Sequence, residues 1–400
     1  MKLQDKDYCP KLVSDIEFSV LFENRQETSY CMGSKSRDKY IQLNSKNVEA
    51  VKNAAMLMQG NRTIENIEQI MLEDYQTKMN ILELCEWLCK AGLIENQPED
   101  IKLEKQEMDY LSITIKKFPL KKCYPFFEFL GARHGKKLFF GSLSVIILGF
   151  IMGIPHWREF FMLKSYEIQG SLAAGICFIL LLFVLSIGIH EFAHAIAGFA
   201  CGLKPKEIVF ALYVGTPMFY VKMPGIYTVA PKKRIIVWSA GIYSNIMAAA
   251  VCMFLIPFMD GTLGNMLLIC CSTNISLAIA NLSPLLPLDG YFILSTLLKR
   301  PNLRKGSFQQ FKKWFCHKDN SFSGLYVLYF TISVGFYAAF AVYEIRWVVK
   351  VIKRGITYGY SWTDYLYEFR VIVMILAVIL IKKGLETAMG LISKKRMANV

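Results

Sequence analysis

The chain changes hydrophobic rhythm along its length. In its first hundred residues, Glu17–Phe22, Ser29–Met32 and Lys39–Leu43 are short apolar or alternating runs separated by charged turns, the pattern of a small antiparallel sheet. Asn47–Met58, Thr63–Leu72 and Asn80–Leu88 then repeat apolar positions at three- and four-residue spacing, which predicts three helices, with Gly60 and Gly92 as terminators. Leu103–Tyr124 is charged and reads as a linker along a membrane surface. Beyond it the apolar residues gather into six blocks, near 138–155, 170–202, 235–258, 264–296, 323–345 and 367–388. The second and fourth are long for a bilayer of about 30 Å, so each should tilt, break or protrude. The expected fold is therefore mainly α: a polytopic membrane protein of about six transmembrane helices with a small N-terminal α+β soluble domain. Its expected divisions are 1–105, a linker at 106–134, a membrane core at 135–300, and C-terminal helices with a basic tail at 301–400.

Composition sharpens this picture. Hydrophobic residues make up 54% of the 400, concentrated in those blocks. The first 110 residues lack the 7–15-residue apolar core of a signal peptide, so none is expected. The net charge of +14 is uneven: residues 1–110 carry 14 basic and 20 acidic side chains, and the rest carries 32 and 12. Lys116, Lys117, Lys136 and Lys137 precede the first span, Lys204, Lys206 and Lys232–Arg234 lie between the second and third, and Lys394–Arg396 end the chain. Placing these segments in the cytoplasm puts both termini inside a multi-pass cell-membrane protein; Arg346, Lys350, Lys353 and Arg354 argue against that topology. The basic excess is juxtamembrane, which points to the anionic lipid bilayer as partner and to no nucleic acid. The 11 cysteines follow no metal or disulfide spacing and are expected to pack as small hydrophobes.

The chemistry is concentrated in the second block, at His190-Glu191-Phe192-Ala193-His194. On a helix, residues four apart differ in direction by about 40°, so both imidazoles can reach one metal while Glu191 lies beside a water on it. Three ionisable side chains are costly in hydrocarbon unless metal, water or partners satisfy them, which suggests a zinc protease working within a membrane. Two histidines leave zinc under-coordinated. In the fourth block, Asn281-Leu282-Ser283-Pro284-Leu285-Leu286-Pro287-Leu288-Asp289-Gly290 places one carboxylate at a break opened by two prolines. Asp289 is then either the third ligand, the favoured reading, or a satisfied structural carboxylate.

With these residues the chain resembles the site-2 protease family of intramembrane zinc metallopeptidases. Asn281, Pro284, Pro287, Leu288, Asp289 and Gly290 match every fixed position of that family's second motif, in the right order after HExxH. The resemblance covers about residues 135–300 and implies that His190, His194 and Asp289 bind Zn²⁺ and that Glu191 is the general base. Gly241 to Asn245 looks like the family's G-x-x-x-N, a spacing that also serves helix packing. Asn245 or Asn281 would position the substrate backbone or oxyanion. Ile208–Tyr213 and Met218–Met223 read as a hairpin that could add a strand of substrate beside the zinc, or as an interfacial loop. Pro217-Met218-Phe219-Tyr220 is similar to members associated with maturation or export of ribosomally made peptides. The front domain resembles PqqD-like winged-helix modules, which implies that residues 1–105 hold a precursor or leader peptide by strand addition. The expected activity is thus endopeptidase cleavage of a peptide or single-span membrane protein near the cytoplasmic face. The competing expectation is a zinc-bearing peptide-binding, export or immunity component that cuts nothing.

Overall fold

A computed structural model describes residues 2–23, 28–103, 112–156, 168–169, 172–213, 216–300, 302–315 and 324–361. The N-terminal unit is α+β. Strands β1 (Ile16–Glu23), β2 (Thr28–Ser34) and β3 (Lys39–Asn44) form an antiparallel sheet in the order β1-β2-β3. Helices α1 (Ser45–Leu57), α2 (Ile64–Glu73) and α3 (Ile81–Ala91) follow. In α3 the buried residues Ile81, Leu84, Cys85, Leu88 and Cys89 recur at helical spacing, so one face enters the core. Thr63 caps α2 and Asn80 caps α3 by accepting backbone N–H bonds, and Gly92 ends α3. Met32, Ile41, Val51, Ile67, Met71 and Leu88 share one apolar core that extends from Leu3 to Ile101.

Short helical turns apart, the remaining elements are β4 (Ser112–Pro119), α4 (Gly135–Gly153), α5 (Leu172–Ala200), β5 (Glu207–Tyr213), β6 (Thr216–Lys222), α6 (Pro231–Leu255), α7 (Gly261–Leu282), α8 (Asp289–Leu297), α9 (Leu303–Phe315) and α10 (Gly324–Tyr358). Among the described residues five helices are long and apolar enough to cross a membrane, namely α4, α5, α6, α7 and α10. The chain is a polytopic, mainly α protein with a small α+β unit; the sixth expected span, 367–388, lies outside the described residues. The central helix is α6, against which α4, α5, α7 and α8 pack. The fourth apolar block breaks, one of the three outcomes expected from its length. After Leu282 the chain leaves the helix, passes Pro284 and Pro287, and restarts at Asp289. There the backbone doubles back so closely that a Cβ on Gly290 would strike the carbonyls of Asn281 and Leu282.

Two expectations are corrected. The described part of the expected linker, 112–134, is more than a linker: β4 pairs antiparallel with β5, which pairs with β6, and Leu120 and Phe127 are buried with Ala195 and Ile208. Its lysines mask this in the sequence, because β4 keeps Thr114 to Lys117 exposed and alternation is lost in the charge count. The fifth span is longer than 323–345: α10 continues to Tyr358, so Arg346, Lys350, Lys353 and Arg354 belong to the same helix. At about 1.5 Å per residue its 35 residues reach roughly 50 Å, longer than the hydrocarbon layer.

The α+β unit is seated on the helical core. A bulge between Val20 and Phe22 lets the consecutive residues Leu21 and Phe22 both be buried, where they join Cys31, Tyr40 and Tyr227. Arg234, in the first turn of α6 and 1% exposed, donates to the Leu21 carbonyl and lies over the Phe22 ring at 4.6 Å. Tyr40 Oη accepts the Gly225 N–H at 2.6 Å and meets Tyr227 edge-on. Burial, reinforced by Asp38, raises the Tyr40 pKa above its ordinary value despite the Gly225 bond, so the phenol stays protonated. Lys299 donates to the Glu23 carbonyl from the far end of α8.

Candidate metal centre

Three elements converge beside α6. Helix α5 presents His190, Glu191 and His194, all buried, with donor atoms within 4.8 Å of one another. The N-terminus of α8 presents Asp289, whose Oδ2 lies 2.9 Å from His190 Nε2 and 3.3 Å from His194 Nε2. A carboxylate in a helix's first turn is also favoured by the backbone dipole. Trp238 of α6 stacks on Phe292 at 4.8 Å, which fixes α8 one turn beyond Asp289. The bundle thus brings together two motifs that are far apart in the chain.

The second nitrogen of each imidazole is also engaged. His194 Nδ1 lies 2.7 Å from the Val237 carbonyl, which can only accept; Nδ1 therefore carries a hydrogen, and in the neutral ring Nε2 is left with its lone pair. His190 Nδ1 meets the Asn245 side-chain amide at 3.1 Å. The two rings stand at 80° to each other with centroids 4.8 Å apart. A Cβ on Gly241 would collide with the His190 ring, so glycine is needed where α6 passes this imidazole. Glu191 is held by a different part of the chain: its Oε2 accepts the Val221 N–H of β6 at 2.8 Å.

The donor set fits zinc. Bonds of about 2.0–2.1 Å in a tetrahedron put neighbouring donors roughly 3.3 Å apart, and the His194–Asp289 separation of 3.3 Å equals that, with His190 slightly nearer at 2.9 Å. Asp289 Oδ2 is buried and has no partner with hydrogen-bond geometry, although it lies between two ring nitrogens. An oxygen so placed suits a shared cation better than a hydrogen bond. His190, His194 and Asp289 would be the ligands, and Glu191, tied back by β6, would remain beside them.

Protein-family models, curated proteins and solved structures yield no match to this chain. The reading of the site therefore rests on its geometry.

Of the two asparagines expected near substrate, Asn245 is buried against His190, whereas Asn281 donates to the Leu277 carbonyl at 3.0 Å within α7. No hydrogen bond joins Asn281 to the histidine–aspartate cluster among the described residues. Sequence reasoning misses Val237, Val221 and Arg234. The first two act through backbone atoms, which leave no side-chain signature. Arg234 reads in the sequence only as a cytoplasmic charge, and its single clue is a cation so close to the start of an apolar helix.

Proposed function

We propose that this chain is a membrane-embedded zinc endopeptidase that cleaves a peptide or single-span membrane protein near the face carrying the α+β unit. The observation that carries the reading is the convergence of His190 Nε2, His194 Nε2 and Asp289 Oδ2, with the Glu191 carboxylate adjacent and restrained. When bound, zinc supplies Lewis-acid activation of a water and of the scissile carbonyl. Val221 occupies one oxygen of Glu191 and leaves the other to take the proton from the attacking water and return it to the leaving amine. His194 is six residues from the end of α5 at Ala200, about 9 Å along the axis, which sets the site near that end of the helix.

Two strand edges suit an extended substrate. β6 is an edge strand whose Val221 N–H is taken by Glu191, so a strand added to that edge would pair with the residues before Val221 and lie beside Glu191. In the α+β unit β1 faces the core and β3 is the other edge; β3 and α3 bound a groove of about 660 Å³ lined by Gln42, Leu43, Asn80, Leu84 and Trp87. That groove suits a precursor or leader peptide. The test uses purified full-length protein with candidate precursor peptides. Cleavage should stop with chelator and return with Zn²⁺; Glu191→Gln should keep zinc and lose cleavage, and Asp289→Ala should lose zinc. Near-normal turnover by Glu191→Gln would overturn the proposed role and favour the cargo-binding alternative.

A further inference from the structure

The two histidines are supported differently, and the difference assigns a role to Asn245. His194 faces a carbonyl, which fixes its hydrogen on Nδ1. His190 faces an amide, which can offer either end. With Asn245 Nδ2 toward His190 Nδ1 at 3.1 Å, the amide donates, the hydrogen of a neutral ring moves to Nε2, and His190 offers Asp289 an N–H in place of a lone pair. In that orientation Asn245 Oδ1 is buried without a partner. Half a turn about the terminal bond exchanges the two ends with almost no change of shape, and the oxygen then accepts from Nδ1–H.

We propose that Asn245 is a positioning residue for His190: in the zinc-bound protein its Oδ1 accepts the Nδ1 hydrogen, so that Nε2 presents a lone pair to the metal. The inference rests on the zinc reading of the centre. Gly241, one turn earlier on α6, leaves room for the ring that Asn245 orients. A residue 1% exposed and aimed at a ligand's second nitrogen acts on the metal through that ligand.

Zinc affinity of full-length protein, measured by competition with a chromophoric chelator, is the first readout, and the visible spectrum of the Co²⁺ form is the second. Asn245→Leu should weaken zinc binding by about 10–100-fold and alter the Co²⁺ bands, whereas Asn245→Asp, which supplies an acceptor and no amide donor, should stay within about threefold of wild type. Asn245→Asp as weak as Asn245→Leu would overturn the proposal by showing that the donor end matters, and so would an unaffected Asn245→Leu. If Asn245→Asp does not fold, ¹⁵N-histidine spectra of the zinc-loaded wild type decide instead, since the chain has only 5 histidines. His190 protonated at Nδ1 and bare at Nε2 supports the role; the reverse tautomer overturns it. A wild type that binds no zinc fails the reading of the centre itself, a result distinct from any of these.

Discussion

At the scale of single residues, the centre depends on atoms that a motif search does not read. HExxH names two candidate ligands and a candidate base, but the Val237 carbonyl, the Val221 N–H and the absent side chain of Gly241 decide where they point. Gly241→Ala should therefore act on the metal and spare the helix. Alanine is the better helix former by about 1 kcal/mol, yet its Cβ would displace the His190 ring. The expected outcome is unchanged helical content by circular dichroism with zinc affinity reduced about tenfold or more. Wild-type affinity in that variant would mean that the ring has room to move.

At the scale of elements, the sheet beside the centre tests what holds Glu191. Val221 lies opposite Ile208 in the β5–β6 ladder, and its N–H points to Glu191 instead of across the ladder. Val221→Pro thus removes the bond to Glu191 at little cost to strand pairing. Cleavage should fall about tenfold to a hundredfold with zinc stoichiometry unchanged; full activity would show that Glu191 needs no anchor. The same elements show what is legible in the sequence. The three N-terminal strands, the three helices after them and the Pro284–Pro287 break are readable because alternation, helical spacing and proline are local signals. Strand β4 is not, since Lys116 and Lys117 look like a linker until β5 supplies a partner from far along the chain. His190, Glu191, His194 and Asp289 are readable as a set, whereas the distinct placements of Asn245 and Asn281 depend on which helix each side chain faces.

At the scale of the whole molecule, Arg234, Tyr40 and Lys299 make polar contacts between the α+β unit and the helical core, and of these three Arg234 is the most buried. Arg234→Met keeps bulk over Phe22 but leaves the Leu21 carbonyl without its charged donor. A hydrogen bond to a charged group is worth about 1.5–3 kcal/mol, so amide exchange around Leu21 and Phe22 should accelerate at least about tenfold by mass spectrometry. Zinc affinity should hold, because His190 and His194 contact α6 beyond Arg234, at Asn245 and Val237. Unchanged exchange at β1 would show that Tyr40 and Lys299 suffice to seat the unit.

Arg234, Val237, Gly241 and Asn245 lie three, four and four residues apart, and so form one line along α6. The first touches the α+β unit, and the other three touch the two histidines. Helical phase thereby becomes a shared coordinate. One residue added or lost between Arg234 and Val237 would turn the two contacts about 100° out of step, so the seat of the unit and the aim of the imidazoles can be kept together only at this spacing. A lineage carrying both features must therefore keep the residue count between Arg234 and Asn245.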